Sequence, residues 1–150
     1  MNIRKATLND VDAIQNLNNE LFELECNHYD EYLSKGWTFE GSGRAFFENV
    51  IKNDYVVVAE IDNVTVGYLH AFEVKIPYYQ FDIAEISDLC VDSKFRGRGI
   101  GMELCKSFEE HYRAKGIKHF QMTASFKNES ARAFYRKLGY REHNVTLVKF

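Results

Sequence analysis

The sequence predicts a mixed α/β layer in which helices follow the central strands. Three observations carry that reading. The stretches "DYVVVAEI", "VTVGYLHAFEV" and "IAEISDLCV" have the alternating or continuous apolarity of strands, and amphipathic helical segments precede and follow the set. A single proline, Pro77, and no Ser/Gly-rich linker or repeat interrupt them. In "DLCVDSKFRGRGIG", Asp88 to Gly101, a strand runs into a basic, glycine-dense corner and helix periodicity resumes at once.

Taken in order, "NIRKA" is a short first strand. Asn9 caps a helix, with Asp12 three residues on and Val11, Ile14, Leu17, Leu21 and Leu24 at helical spacing. From Cys26 to Gly43 the periodicity lapses into polar, aromatic and glycine clusters, a long shaped connection that leads to a short helix around Phe46, Phe47, Val50 and Ile51. Two strands then meet at Asp62-Asn63, a pair suited to closing a hairpin. After an aromatic loop, "KIPYYQFD", comes the fourth strand, apolar on both faces and therefore central. A helix from about Gly99 to Lys115 stops at Gly116. "KHFQMTAS" is the next strand, Asn128 opens a helix ended by "LGY", and "NVTLVKF" closes the chain as a strand. The expected order is β-α-α-β-β-β-α-β-α-β.

At 150 residues and 45% hydrophobic, with 12 Phe and 9 Tyr, the chain has the material for one packed domain spanning 1–150. The 19 basic and 22 acidic residues give a formal charge of -3, so no global field favours nucleic acid or an anionic membrane. An RNA-binding role for "RGRG" fails on that charge and on the lack of an extended basic surface. No apolar run approaches the ~18 residues of a membrane span, and "MNIRKATLND" has no signal-peptide core, so a cytoplasmic location is expected. Cys26, Cys90 and Cys105 fit neither a disulfide framework nor a zinc pattern, and no metal site is expected. Cys90 and Cys105 read as small core residues.

The glycine corner carries the chemistry. The first N–H groups of a helix lack intrahelical partners and sit at the positive end of its dipole, so they suit an anion. Gly97, Gly99 and Gly101 remove the Cβ atoms that would obstruct it, and Arg96 and Arg98 add cationic side chains suited to phosphate. Strand, glycine turn and helix in succession form an arrangement that binds phosphates. A Walker loop is excluded because Gly101 is followed by Met102-Glu103, and the Gly-x-Gly-x-x-Gly dinucleotide spacing is not met.

Arg96-Gly97-Arg98-Gly99-Ile100-Gly101 resembles the Gln/Arg-x-x-Gly-x-Gly/Ala signature of the GNAT N-acetyltransferase superfamily, and "NESARAFYRKLGY", Asn128 to Tyr140, resembles its second signature. With the element order, the resemblance covers essentially the whole chain. It implies a GNAT fold: a mixed, mostly antiparallel central sheet with splayed fourth and fifth strands, flanked by helices. It also implies acetyl-CoA as cosubstrate, direct transfer of the acetyl group to a primary amine in a ternary complex, and a homodimer as a permitted assembly, built near "NVTLVKF".

Carried onto these residues, the resemblance gives the backbone of Leu89, Cys90 and Val91 to the pantetheine and thioester. It gives Arg96, Gly97, Arg98, Gly99, Ile100 and Gly101 to the pyrophosphate, and Asn128 with Ala131 to the pantetheine arm. Asn128 also reads as a plain N-cap. Tyr135 occupies the position of the general acid that protonates the thiolate, or is a core aromatic. Glu85 resembles a strand-four glutamate used as a water-mediated base, and it reads equally as an orienting carboxylate. Period-two alternation puts it on the face of Val91. Carboxylates at Glu25, Asp30, Glu31, Asp82, Glu85 and Asp88 among aromatics suit a cationic acceptor, either a small amine or a peptide or protein amino group. The reading from a different class is a non-catalytic acyl-CoA-binding sensor module, which would keep the glycine corner but could lose the acid. The presence of Tyr135 favours the enzyme.

Overall fold

The computed structural model describes residues 1–149. Five strands form one sheet in sequence order: β1 (Asn2–Lys5), β2 (Tyr55–Ile61), β3 (Val64–Val74), β4 (Ile83–Val91) and β5 (His119–Met122). The first three pairings are antiparallel and β4 pairs β5 in parallel. The helices are α1 (Val11–His28), α2 (Gly43–Asn53), α3 (Ile100–Ala114) and α4 (Glu129–Lys137). The expected order is thus observed as far as α4.

Alternation along the strands divides the apolar side chains between two layers. Val56, Val58, Tyr68 and Cys90 face α1 and α2, meeting Val11, Ile14, Leu17, Phe47 and Val50. Val57, Leu69, Ala71, Ala84 and Ile86 face the other way, onto Leu104, Cys105, Phe108 and Tyr112 of α3 and Tyr135 of α4. The β2–β3 hairpin closes at Asp62 and Asn63, with φ of 50° and 63°, the left-handed pair that a two-residue turn matched to strand twist requires.

Three details depart from the sequence reading. Asn9 does not start the first helix: Thr7 N–H donates to Asp10 Oδ2 at 2.7 Å, and a 3-10 turn over Leu8–Asp10 runs into α1. Asp10 prevails because Arg4 grips it at 2.8 Å and also reaches Glu60, tying β1, α1 and β2 together. The hydrogen bond from Arg4 holds the Asp10 carboxyl below its ordinary range, against the opposing effect of burial. Helix α1 also continues beyond Cys26 to His28.

Among the described residues the terminal strand is absent. Residues 141–149 form no strand, and Val145, Leu147 and Val148 are 80%, 90% and 70% exposed. Phe150, the last residue of the expected strand, lies outside the described residues. Strand propensity expresses a fit to a pleated, half-buried surface, and among the described residues no strand lies alongside to supply one. Arg132 and Arg136 instead hold Glu142 at 2.8 and 2.9 Å, turning the chain back along α4.

The connection between α1 and α2 is anchored by buried polar groups. Thr38 is fully buried; its hydroxyl donates to Asn18 Oδ1 at 2.8 Å and its carbonyl accepts from Gln15 Nε2 at 2.7 Å. Asn18 Nδ2 donates in turn to the Tyr68 hydroxyl at 2.8 Å. Trp37, beside Thr38, stacks on Phe22 and meets Phe46 edge-on. Helix α2 can begin so close to this anchor only because residue 43 is glycine: a methyl there would lie 2.3 Å from the Trp37 carbonyl oxygen and 2.4 Å from that of Thr38. Alanine would gain up to ~1 kcal/mol of helix propensity. Backbone overlap that cannot rotate away outweighs it, so Gly43→Ala is expected to destabilise the protein by about 1–3 kcal/mol. Urea unfolding checks this; an unchanged or raised midpoint would refute the tight approach.

Candidate active site

The site is built around an irregularity in β4. Leu69 pairs Leu89 and His70 pairs Asp88, but Ala71 pairs Ile86, so Ser87 is an extra residue. Such a bulge resets the alternation. Ala84 and Ile86 belong to the α3/α4 layer, and after the bulge Leu89 and Val91 pack against that same layer. Glu85 therefore shares the α1/α2 face with Asp88 and Cys90. The expectation that Glu85 and Val91 share a face is corrected: strict period two does not survive the inserted residue. The β4–β5 pairing ends at Ile86 with Met122. Beyond it, Ser87–Val91 has no β5 partner among the described residues, which is the splay of the fourth and fifth strands.

This opening leads to the glycine corner. A 3-10 turn, Ser93–Phe95, precedes Arg96, and α3 starts at Ile100. Gly97 and Gly99 have φ of 75° and 80°, and a methyl built on either meets nothing within 4 Å. They provide left-handed backbone and open space at a helix start, which fits a phosphate ligand. Gly101 is placed differently: a methyl there would lie 3.4 Å from the Phe134 ring and 4.0 Å from the Leu89 side chain, ordinary contact distances, so this position faces α4 and β4 rather than open space. The arginines also differ. Arg96 donates to the Val91 carbonyl at 2.9 Å and to Glu20 at 2.7 Å, bracing the turn on β4 and α1. Arg98 lies over the Phe95 ring at 5.0 Å.

Across the opening, Asn128 caps α4, its Oδ1 accepting from Ala131 N–H at 3.0 Å. Its Nδ2 donates to Glu25 at 3.2 Å, joining α1 to α4. Burial raises the Glu25 carboxyl above its ordinary value, the Asn128 hydrogen bond opposes the rise and Asp30 adds to it. Tyr135 is 6% exposed, packed beside Phe134 and Tyr140. Burial pushes its hydroxyl far above the ordinary phenol range, so it keeps its proton at neutral pH. Burial likewise pushes both the Cys90 and the Cys105 thiol up to about 12. Neither is a thiolate at neutral pH, as a covalent cysteine route would need.

On the α1/α2 face, Glu85 accepts from Gln121 Nε2 at 2.6 Å. Its cross-strand neighbour is Phe72. The next row holds a group that the sequence reading missed. His70, 3% exposed, has Nε2 2.9 Å from Asp54 and Nδ1 3.3 Å from Asp88. Phe46 and Phe72 flank its ring, with centroids 6.1 and 5.9 Å away. In the sequence His70 is one polar residue in an apolar strand, with nothing to join it to carboxylates at positions 54 and 88. Burial lowers the imidazole pKa, but hydrogen bonds to Asp88 and Asp54 outweigh it and leave the value raised.

The family model for the Acetyltransferase (GNAT) family matches residues 11–140. The chain belongs to that family. An uncharacterized N-acetyltransferase of Methanocaldococcus jannaschii is 29% identical over 148 residues, 95% of this chain, which spans 62% of that relative's length. The L-2,4-diaminobutyric acid acetyltransferase of Shouchella clausii is 33% identical over 93 residues, 62% of this chain and 50% of the relative. Among solved structures, a tetramutant of the BH1408 protein of Bacillus halodurans matches with a TM-score of 0.90 at 24% identity, covering 99% of each chain, a likeness of fold.

The raised His70 pKa makes stability depend on pH. A group that titrates higher folded than unfolded contributes fully below its unfolded value, roughly 6.5, and its contribution is lost as pH rises through the folded value. The stability difference between wild type and His70→Gln should therefore shrink as pH increases above about 6.5. Urea titrations at several pH values measure it; a difference that grows with pH would contradict the charged imidazole.

Proposed function

We propose that the protein transfers the acetyl group of acetyl-CoA directly to a primary amine, with both substrates bound at once. The observation that carries the reading is the open glycine cradle at the start of α3, placed where β4 has parted from β5. Acetyl-CoA, when bound, supplies the acetyl group as an activated thioester.

The chain's residues then divide the work. Backbone N–H groups from Gly97 to Gly101 hold the pyrophosphate, aided by the helix dipole and by Arg98. Arg96 keeps the turn in shape through Val91 and Glu20. The exposed edge of β4 at Leu89, Cys90 and Val91 pairs with the extended arm, and an N–H of Leu89 or Cys90 polarises the carbonyl. Asn128 and Ala131 border the arm from α4. Tyr135, still protonated at neutral pH, donates to the departing thiolate.

An alkylamine titrates near ~10.4, so it arrives mostly protonated and must lose a proton. Glu85 accepts that proton through water on the α1/α2 face, where the bulge has brought Asp88 alongside it. Carboxylates beside Phe46, Phe72 and Trp37 suit an acceptor with a cationic amine. The diaminobutyric acid acetyltransferase relative supports a small amine of this kind, and a peptide or protein amino group has the same reacting chemistry.

Gly99→Leu is expected to weaken acetyl-CoA binding at least tenfold, measured by calorimetry. Gly116→Leu is its control: that residue also has a left-handed φ, 87°, and open space, at the far end of α3. Both variants carry about 1–2 kcal/mol of left-handed strain. Equal affinity in the two would rule out the cradle. Tyr135→Phe is expected to lower turnover by about 10²-fold at unchanged acetyl-CoA affinity. Full turnover would remove Tyr135 as the acid.

A further inference from the structure

We propose that His70 is a positioning residue for acyl transfer: held by Asp88 on one side and Asp54 on the other, it clamps the β4 bulge and fixes the backbone that enters the thioester site. The proposal rests on the acetyltransferase reading. The register break falls between His70 and Ala71 on β3 and leaves Ser87 unpaired on β4. A bulge interrupts the ladder hydrogen bonds, so local backbone direction there depends on side-chain contacts. The His70–Asp88 pair spans the strands at that break, and Leu89 follows immediately.

The hydrogen-bond chemistry defines the state of the clamp. Carboxylates accept and cannot donate, so an imidazole between two of them must donate from both nitrogens. The ring is then an imidazolium, and the row from Asp54 through His70 to Asp88 carries alternating negative, positive and negative charges. Three elements meet in it: Asp54 from the end of α2, His70 from β3 and Asp88 from β4. The Asp88 charge is also felt by the Tyr68 hydroxyl, itself bonded to Asn18, by the Cys90 thiol and by the Tyr135 hydroxyl. Phe46 and Phe72 enclose the ring. A buried charge in such a place is held only while both partners remain. With Asp88 Oδ2 engaged by His70, the carboxylate has a fixed direction on the face it shares with Glu85.

Two amide substitutions separate the two contacts. Asparagine places its amide nitrogen where Nδ1 lies, and glutamine reaches the position of Nε2. His70→Asn therefore keeps a donor toward Asp88, and His70→Gln keeps one toward Asp54. The expected result is a kcat at least tenfold lower in His70→Gln, with His70→Asn within about threefold of wild type and acetyl-CoA affinity unchanged in both. Nuclear magnetic resonance supplies the readouts that need no turnover. Both His70 ring nitrogens should be protonated at pH 7, and the Leu89 amide signal should move in His70→Gln and stay in place in His70→Asn. A neutral ring, a Leu89 amide that responds equally to the two variants, or kcat values that only follow the loss of thermal stability would overturn the proposal. Wild-type protein that releases no thiol from acetyl-CoA with any of a panel of polyamines, aminoglycosides, amino acids and peptides would overturn the acetyltransferase reading. The Leu89 amide would still decide the clamp.

Discussion

The inserted Ser87 is the constraint on which the rest of the site depends. A regular β4 would present one face to each helical layer along its whole length. By adding one residue, the bulge lets Ile86 and Leu89 both serve the α3/α4 core while Glu85 and Asp88 both face α1 and α2. It lies where pairing with β5 ends, so bend and opening coincide. The strand enters the opening with an apolar side to pack, a carboxylate side, and a backbone edge released from its ladder.

The flanking elements hold that geometry from both layers. On the α3/α4 side, Gly101 faces the Phe134 ring and the Leu89 side chain, so the start of α3 adjoins α4 and β4. Tyr135, next in sequence after Phe134, is buried in the same layer. On the α1/α2 side, Asn18, Gln15, Thr38 and Tyr68 are buried polar groups that satisfy one another, fixing an otherwise irregular connection against the sheet. An unpaired buried polar group costs about 1–3 kcal/mol, so each member keeps its neighbours in place. The connection is thus held against the sheet at Thr38, beside Trp37.

Electrostatics on the two faces differ in kind. The glycine corner offers main-chain N–H groups and a helix dipole to an anion. The α1/α2 face offers carboxylates, with one buried imidazole offsetting part of their charge. On the proposed function, a negatively charged cosubstrate and a cationic acceptor would be drawn to separate faces of one strand, which suits direct transfer between them.

The sequence by itself determined the strand and helix order through α4, because hydrophobic period and turn chemistry are local. It determined the glycine corner as well, since Gly97 and Gly99 follow a strand and precede a helix within a few residues. It misjudged the terminal strand, whose β-branched residues find no neighbouring strand among the described residues, and the face of Glu85, because a one-residue bulge leaves no mark in the pattern. Only the tertiary structure decided that Arg96 braces a turn, that Gly101 faces Phe134, and that Thr38 is buried. Only it joined His70 to Asp54 and Asp88, positions 16 and 18 residues away in the chain. The physical reason is common to all of these: the contacts are made across the sheet and between layers, where register and burial are set by the whole fold.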